Sequence, residues 1–232
     1  MRLKAVFFDA GNTLLLQDAP RLAALVTRLG APTESETAEQ AEHAARLPLD
    51  AWLRQANSTE SRETKRRYYG WILDRLDPDA KVDRDRFFTE LAREYEIRHL
   101  YTRVDPQAVD CLRTLKARGL KLGVISNSDG KLASLLDATD LARWFDFAID
   151  SHVVGVEKPD RRIFELACEK ADVAPGEAAH IGDLPSIDPE PARALGISGF
   201  LLDPSGLWDG LAVPRVRTLA DYAARLIPRS PS

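Results

Sequence analysis

LKAVFFDAGNT, residues 3–13, is the stretch on which the fold turns. Residues 3–8 form a short apolar run rich in β-formers, and the run stops at Asp9. A strand covered on both faces of a parallel sheet has this continuous pattern instead of an apolar/polar alternation. No comparable run follows until about Tyr101. The chain between has helical periodicity over 20–30, 34–53, 62–76 and 84–100, with Pro32 and Asp77-Pro78 as breakers. After Asp105-Pro106 the rhythm changes. A helix to residue 118 stops at Gly119, then strands are expected at 120–126, 145–150, 178–181 and 199–202. Helices at 131–141, 161–171, 191–195 and 219–226 alternate with them. Alternating βα units predict an α/β fold, a Rossmann-like parallel sheet with helices on both faces. The core is assigned to residues 1–16 and 103–232, with 17–102 as an inserted α-helical cap.

Composition narrows the function classes. The chain has 232 residues, 44% of them hydrophobic and 29% charged, enough for one large domain or two modest ones. Lys+Arg number 32 against Asp+Glu 36, a net charge of −4, which argues against general nucleic-acid or anionic-membrane binding. Two cysteines, Cys111 and Cys168, rule out a disulfide framework and point to a reducing compartment. Both lie in apolar helical patterns and are expected to be buried bystanders. Asp9 interrupts the N-terminal apolar patch and no small-residue cleavage site follows, so the start does not read as a signal peptide. The expected location is cytoplasmic, without membrane attachment, and the tail 227–232 is expected to fray. Neither a G-x-G-x-x-G nor a P-loop pattern occurs.

Open α/β sheets bind ligands beyond the carboxyl ends of their strands. The first strand ends in Asp9, with Gly11, Asn12 and Thr13 following. The second ends in Ser126-Asn127, Lys158 follows the third by a loop, and the fourth ends in Gly182-Asp183, with Asp188 five residues on. Carboxylates gathered at one point repel each other unless a cation joins them, and hard oxygen donors suit Mg²⁺. A lysine and a hydroxyl beside that cation would complement a phosphate.

These segments resemble the motifs of the haloacid dehalogenase-like hydrolases: FFDAGNTLL (7–15), VISNS (124–128), EKPDRRIF (157–164) and HIGDLPSID (180–188), in the family's order and over most of the chain. The resemblance implies a Mg²⁺-dependent phosphatase acting on a small phosphorylated substrate, with a cap that closes over the core and chooses that substrate. In it Asp9 is the nucleophile that forms an aspartyl-phosphate. Asp9, Asp183 and the carbonyl of Gly11 hold the metal, and Asp188 supports it through its waters or through Lys158. Ser126, Asn127 and Lys158 take the phosphoryl group, and Thr13 contacts the loop or the phosphate.

Two positions depart from the family pattern. Gly11 stands where relatives carry a second Asp that acts as general acid and base, a role worth about 10²–10⁴-fold. The chain therefore acts on esters with good leaving groups, borrows a cap residue or water, or has weak or no turnover and binds phosphate and Mg²⁺ only. The plain alternative is that Gly11 serves the turn through its access to positive φ. Leu184 replaces a small polar residue, with little expected consequence. Dehalogenases of the same superfamily also lack the second Asp and attack carbon without a metal, but they do not keep the acidic fourth motif.

Other conspicuous residues are expected to be structural. His180 is expected to be a half-buried strand histidine. His43, His99 and His152 lack metal-ligand spacing. Arg62, Lys65, Arg66 and Arg67 lie beside Glu60 and Glu63 and read as a solvated face, with substrate steering as the rival use. Trp52, Tyr68, Tyr69 and Trp71 read as core of the helical block.

Overall fold

The computed structural model describes residues 2–227. The expectation of a frayed tail falls, from residue 228 on, outside the described residues. The chain divides into two compact units: residues up to Leu16 together with those from Val104, and Gln17–Arg103.

In the first unit β1 (Ala5–Phe8) is buried along its whole length, as its unbroken apolar run requires. Successive side chains on a strand face opposite ways. Phe7 accordingly meets Phe147 and the cluster of Ile163, Phe164 and Ala167, while Phe8 meets Tyr222 and Phe145. After β2 (Leu15–Gln17) the chain enters the second unit, which holds α1 (Ala19–Arg28), α2 (Ser35–Leu53), α3 (Arg62–Leu76) and α4 (Arg84–Ile97). Side chains cap three of these helices: Asp18 takes the amide of Arg21, Ser61 that of Thr64 and Asp83 that of Arg86. The apolar faces of α1, α2 and α3 bury Leu22, Val26, Ala38, Ala45, Ile72 and Leu73 among others.

β3 (Tyr101–Val104) leads back to the first unit, where α5 (Ala108–Lys116), β4 (Lys121–Ser126), α6 (Leu132–Ala138) and β5 (Phe147–Asp150) follow. Then come α7 (Ser151–Val154), α8 (Arg161–Ala171), β6 (Ala178–Gly182), α9 (Pro189–Ala194), β7 (Ser198–Leu202), β8 (Arg215–Val216) and α10 (Leu219–Leu226). The main sheet has the order β5-β4-β1-β6-β7-β8, and its neighbouring strands run parallel. From β1 the chain first builds outward through β4 and β5, then crosses to the other side for β6. The strand order thus reverses at β1, the position where ligands of such sheets bind.

Several elements differ from the sequence reading. β2 and β3 pair as a separate two-stranded ribbon, and neither they nor β8 and α7 were expected. Each is two to four residues long, too short for periodicity to register. The strand expected at 145–150 begins at Phe147, and the helix expected at 131–141 ends at Ala138. Cys111 and Cys168 are both buried, and burial pushes their thiols up to about 12 and about 11, so neither is a ready nucleophile. No helix among the described residues is long and apolar enough to cross a membrane.

Candidate active site

The site is built from the carboxyl ends of β1, β4 and β6 and the loop before α8. Register sets the first relationship. Phe8 lies opposite both Val124 and Ile181, and the Asp9 amide donates to the Ile181 carbonyl at 2.8 Å. Asp9 and Asp183 therefore leave neighbouring strands one residue out of step, and both are buried. After Asp9 the chain turns sharply. The carbonyl of Ala10 accepts from Leu14 and Leu15 at 3.0 and 2.9 Å, and the Asn12 amide donates to the Leu15 carbonyl at 2.7 Å. The left-handed residue of this turn is Asn12, with φ 53°, and not Gly11 as the sequence suggested. Asn tolerates that region better than most residues with a side chain. Thr13 is fully buried, and its hydroxyl has no hydrogen-bond partner among the described residues.

Lys158 is the hub. Its ammonium is 1% exposed and lies 2.6 Å from Asp9 Oδ1 and 2.7 Å from Asp188 Oδ1. Asn127 fixes its backbone from β4: Asn127 Oδ1 accepts the Lys158 N–H at 2.7 Å, and Nδ2 donates to the Lys158 carbonyl at 2.8 Å. These contacts make Asn127 a support for Lys158, a role its expected place against substrate did not include. Ser126, buried at the end of β4, donates to the Asn127 carbonyl at 3.3 Å. The loop after Asn127 is fastened to β5, where Asp150 accepts from the amides of Gly130 and Leu132.

Asp188 also touches more than the metal role anticipated. Its Oδ1 meets both Lys158 Nζ and His180 Nε2, the latter at 3.0 Å, and its Oδ2 receives the Leu184 amide at 3.4 Å. Leu184 thus contributes through its backbone, which explains why its side chain can differ from a small polar one. The carboxyl lies flat against Gly182, where a Cβ would fall 2.1 Å from Asp188 Cγ. No other residue fits at position 182 without displacing Asp188. His180 is fully buried on β6, edge-on to Phe164, and not half-buried as expected. Burial lowers its pKa, against the opposing pull of Asp188 and of a hydrogen bond to the Phe7 backbone.

Two buried carboxylates share one ammonium here, and the charges divide unequally. Burial pushes Asp9 up to about 6; Lys158 pulls it down, and the negative charge of Asp188 pushes it up again. For Asp188 burial also acts upward, but Lys158 and His180 outweigh it and hold the group at about 2. Burial opposes the charge on Lys158, yet the two carboxylates raise its pKa above the ordinary value. Among the described residues no set of three or more His, Cys, Asp and Glu side chains stands together as a metal cage. The donor chemistry still fits a hard divalent ion: Asp9 lacks full compensation by positive charge, and Asp183 leaves the adjacent strand.

A profile for haloacid dehalogenase-like hydrolase matches residues 3–196, which include all four segments that build this strand edge. The chain belongs to the haloacid dehalogenase-like hydrolases. The chain is 45% identical over 91 residues to the bovine haloacid dehalogenase-like hydrolase domain-containing protein 3, a match covering 39% of the chain and 36% of that protein. It thus spans little more than a third of the length of that relative. It is 30% identical over 222 residues to a phosphoserine phosphatase of Thermus thermophilus, covering 87% of this chain and 89% of the other. Among solved structures it resembles a 2-haloacid dehalogenase from Pseudomonas syringae with a TM-score of 0.57 and 26% identity, over 97% of this chain and 100% of that one.

In the unit Gln17–Arg103, Lys65 pairs with Glu60 and Arg67 with Glu63, while Arg66 pairs with Asp85, as a solvated face would. Tyr68 and Tyr69 are buried in that unit, as core. His180 is the residue that the sequence reading sets down as a structural strand histidine and that the fold brings against Asp188. Its signal was a polar side chain inside an otherwise apolar strand, which calls for a buried partner.

Proposed function

We propose that this protein hydrolyses phosphate monoesters through Asp9. A carboxylate oxygen of Asp9 attacks phosphorus, the ester P–O bond breaks, and the leaving oxygen departs with the bonding pair as an alkoxide or aryloxide that takes its proton from water. Water then attacks phosphorus, freeing Asp9 and orthophosphate. Lys158 and Ser126 receive the phosphoryl oxygens, and Lys158 also holds Asp9 in place. Asp9, Asp183 and the Gly11 carbonyl would hold Mg²⁺, which screens the anionic ester from the anionic nucleophile. The observation that carries this reading is the buried Lys158 shared by Asp9 and Asp188, with Asp9 left short of positive charge. Gly11 offers no acid for the leaving group, so the preferred esters are those whose alcohol leaves readily, such as aryl phosphates. Relatives that include a phosphoserine phosphatase support phosphoryl chemistry.

Dehalogenation is the second reading. It is favoured by the missing acid at Gly11 and by the likeness to a 2-haloacid dehalogenase. Assay of an aryl phosphate with Mg²⁺, beside Asp9→Asn, separates the two. Phosphate release by the parent chain and its loss in the variant are expected. Release that continues unchanged in D9N removes Asp9 as nucleophile, and halide release from 2-haloacids without metal moves the assignment to carbon chemistry.

A further inference from the structure

We infer that His180 is a positioning residue for this reaction: through Asp188 it fixes the place of the Lys158 ammonium against Asp9. The functional weight of this role rests on the reading of Asp9 as nucleophile. The contacts form a continuous line, His180 Nε2 to Asp188 Oδ1 at 3.0 Å, Asp188 Oδ1 to Lys158 Nζ at 2.7 Å, and Lys158 Nζ to Asp9 Oδ1 at 2.6 Å. An ionised Asp188 only accepts, so Nε2 of His180 carries the hydrogen.

The geometry gives His180 a task beyond filling space. Lys158 and His180 meet the same carboxylate oxygen, and the second oxygen has only the long 3.4 Å contact to the Leu184 amide among the bonds described. Gly182 lies against the same carboxyl, where a Cβ would fall 2.1 Å from Asp188 Cγ and 2.4 Å from Oδ2. Without the imidazole N–H the carboxyl group keeps, besides Lys158, only the long bond from the Leu184 amide and is free to rotate toward or away from Lys158. The ring itself is held by the strand, being paired in register with Phe7, and by its edge-on contact with Phe164. A rigid strand thus sets where a flexible lysine ends. Asn127 performs the matching task for the Lys158 backbone. Outer partners that orient a working group in this way are commonly worth about 10–100-fold in activity.

The test compares His180→Leu, His180→Gln and His180→Asn. Gln places its amide nitrogen about as far out as Nε2, whereas Asn is one methylene shorter. The first readout needs no turnover: the ¹⁵N-edited NMR signal of the Lys158 ammonium, whose exchange is slow while it is buried and bonded. That signal is expected to shift and broaden in H180L and H180N and to return toward its parent position in H180Q. With aryl phosphate and Mg²⁺, kcat is expected to fall about tenfold in H180L with KM within about twofold, and to recover in H180Q. A parent-like Lys158 signal and parent-like kcat in H180L overturn the inference. Should H180L fail to fold, equal behaviour of H180Q and H180N overturns it instead. If the parent chain hydrolyses no ester, the phosphatase reading fails by itself, and the Lys158 signal still decides the role of His180.

Discussion

At the scale of single residues, Lys158 decides most. Removing its ammonium by Lys158→Ala leaves Asp9 and Asp188 buried without their shared cation. Breaking a buried pair from one side costs about 3–5 kcal/mol. Denaturant unfolding of K158A is expected to show a loss of that order, larger than that of an exposed substitution such as Lys65→Ala. A loss under about 1 kcal/mol would mean that water already reaches the carboxylates. Gly11 invites a test in the opposite direction. If the absent acid limits turnover, Gly11→Asp raises the rate on alkyl phosphates more than on aryl phosphates. Rates on both ester classes unchanged from the parent in G11D would show that another donor already serves the leaving group.

At the scale of elements, the helical unit carries its own buried charge. Between α2 and α3, Arg46 makes a two-pronged pair with Glu42 at 2.8 and 2.6 Å, and the Tyr68 hydroxyl donates to the same carboxylate. Burial alone would raise the Glu42 pKa, but Arg46 outweighs it and, with Tyr68, leaves the group below the ordinary carboxylate value. A carboxyl depressed in the folded state stabilises the fold above its unfolded pKa of about 4.3. That contribution is lost as pH falls from there through the folded value. Stability of the parent chain should therefore drop as pH is lowered below about 4.3, and Glu42→Gln should flatten that part of the profile. Parallel acid profiles for the parent and E42Q would assign the loss to other groups. Short elements follow a different rule. β2 and β3 lie more than eighty residues apart in sequence, and their pairing answers backbone groups that neither segment satisfies alone.

At the scale of the whole molecule, the proposed ion links folding to ligand. A ligand at one hundred times its dissociation constant stabilises the folded state by about 2.7 kcal/mol. For a chain of this size each kcal/mol moves Tm by about 2–4 °C. Mg²⁺ at that excess should raise Tm by about 5–10 °C, and Asp183→Asn should abolish the rise. A Tm indifferent to Mg²⁺ in the parent chain would remove the ion from the site.

The sequence alone determined the class of fold. An apolar run ending at Asp9 and the βα rhythm after residue 105 require a parallel sheet, because only cover on both faces accepts strands without a polar side. It also determined which polar residues end the strands, since a carboxylate or amide at such a position has nowhere to go but the sheet edge. Tertiary structure decided what those residues do to one another. Asn127 serves the Lys158 backbone, Asp188 joins Lys158 to His180, and the left-handed turn residue is Asn12 beside Gly11. Linear order cannot supply these facts. The two Lys158 contacts are directed bonds of 2.7 Å between segments about thirty residues apart, and a chain acquires such distances only when its core has closed.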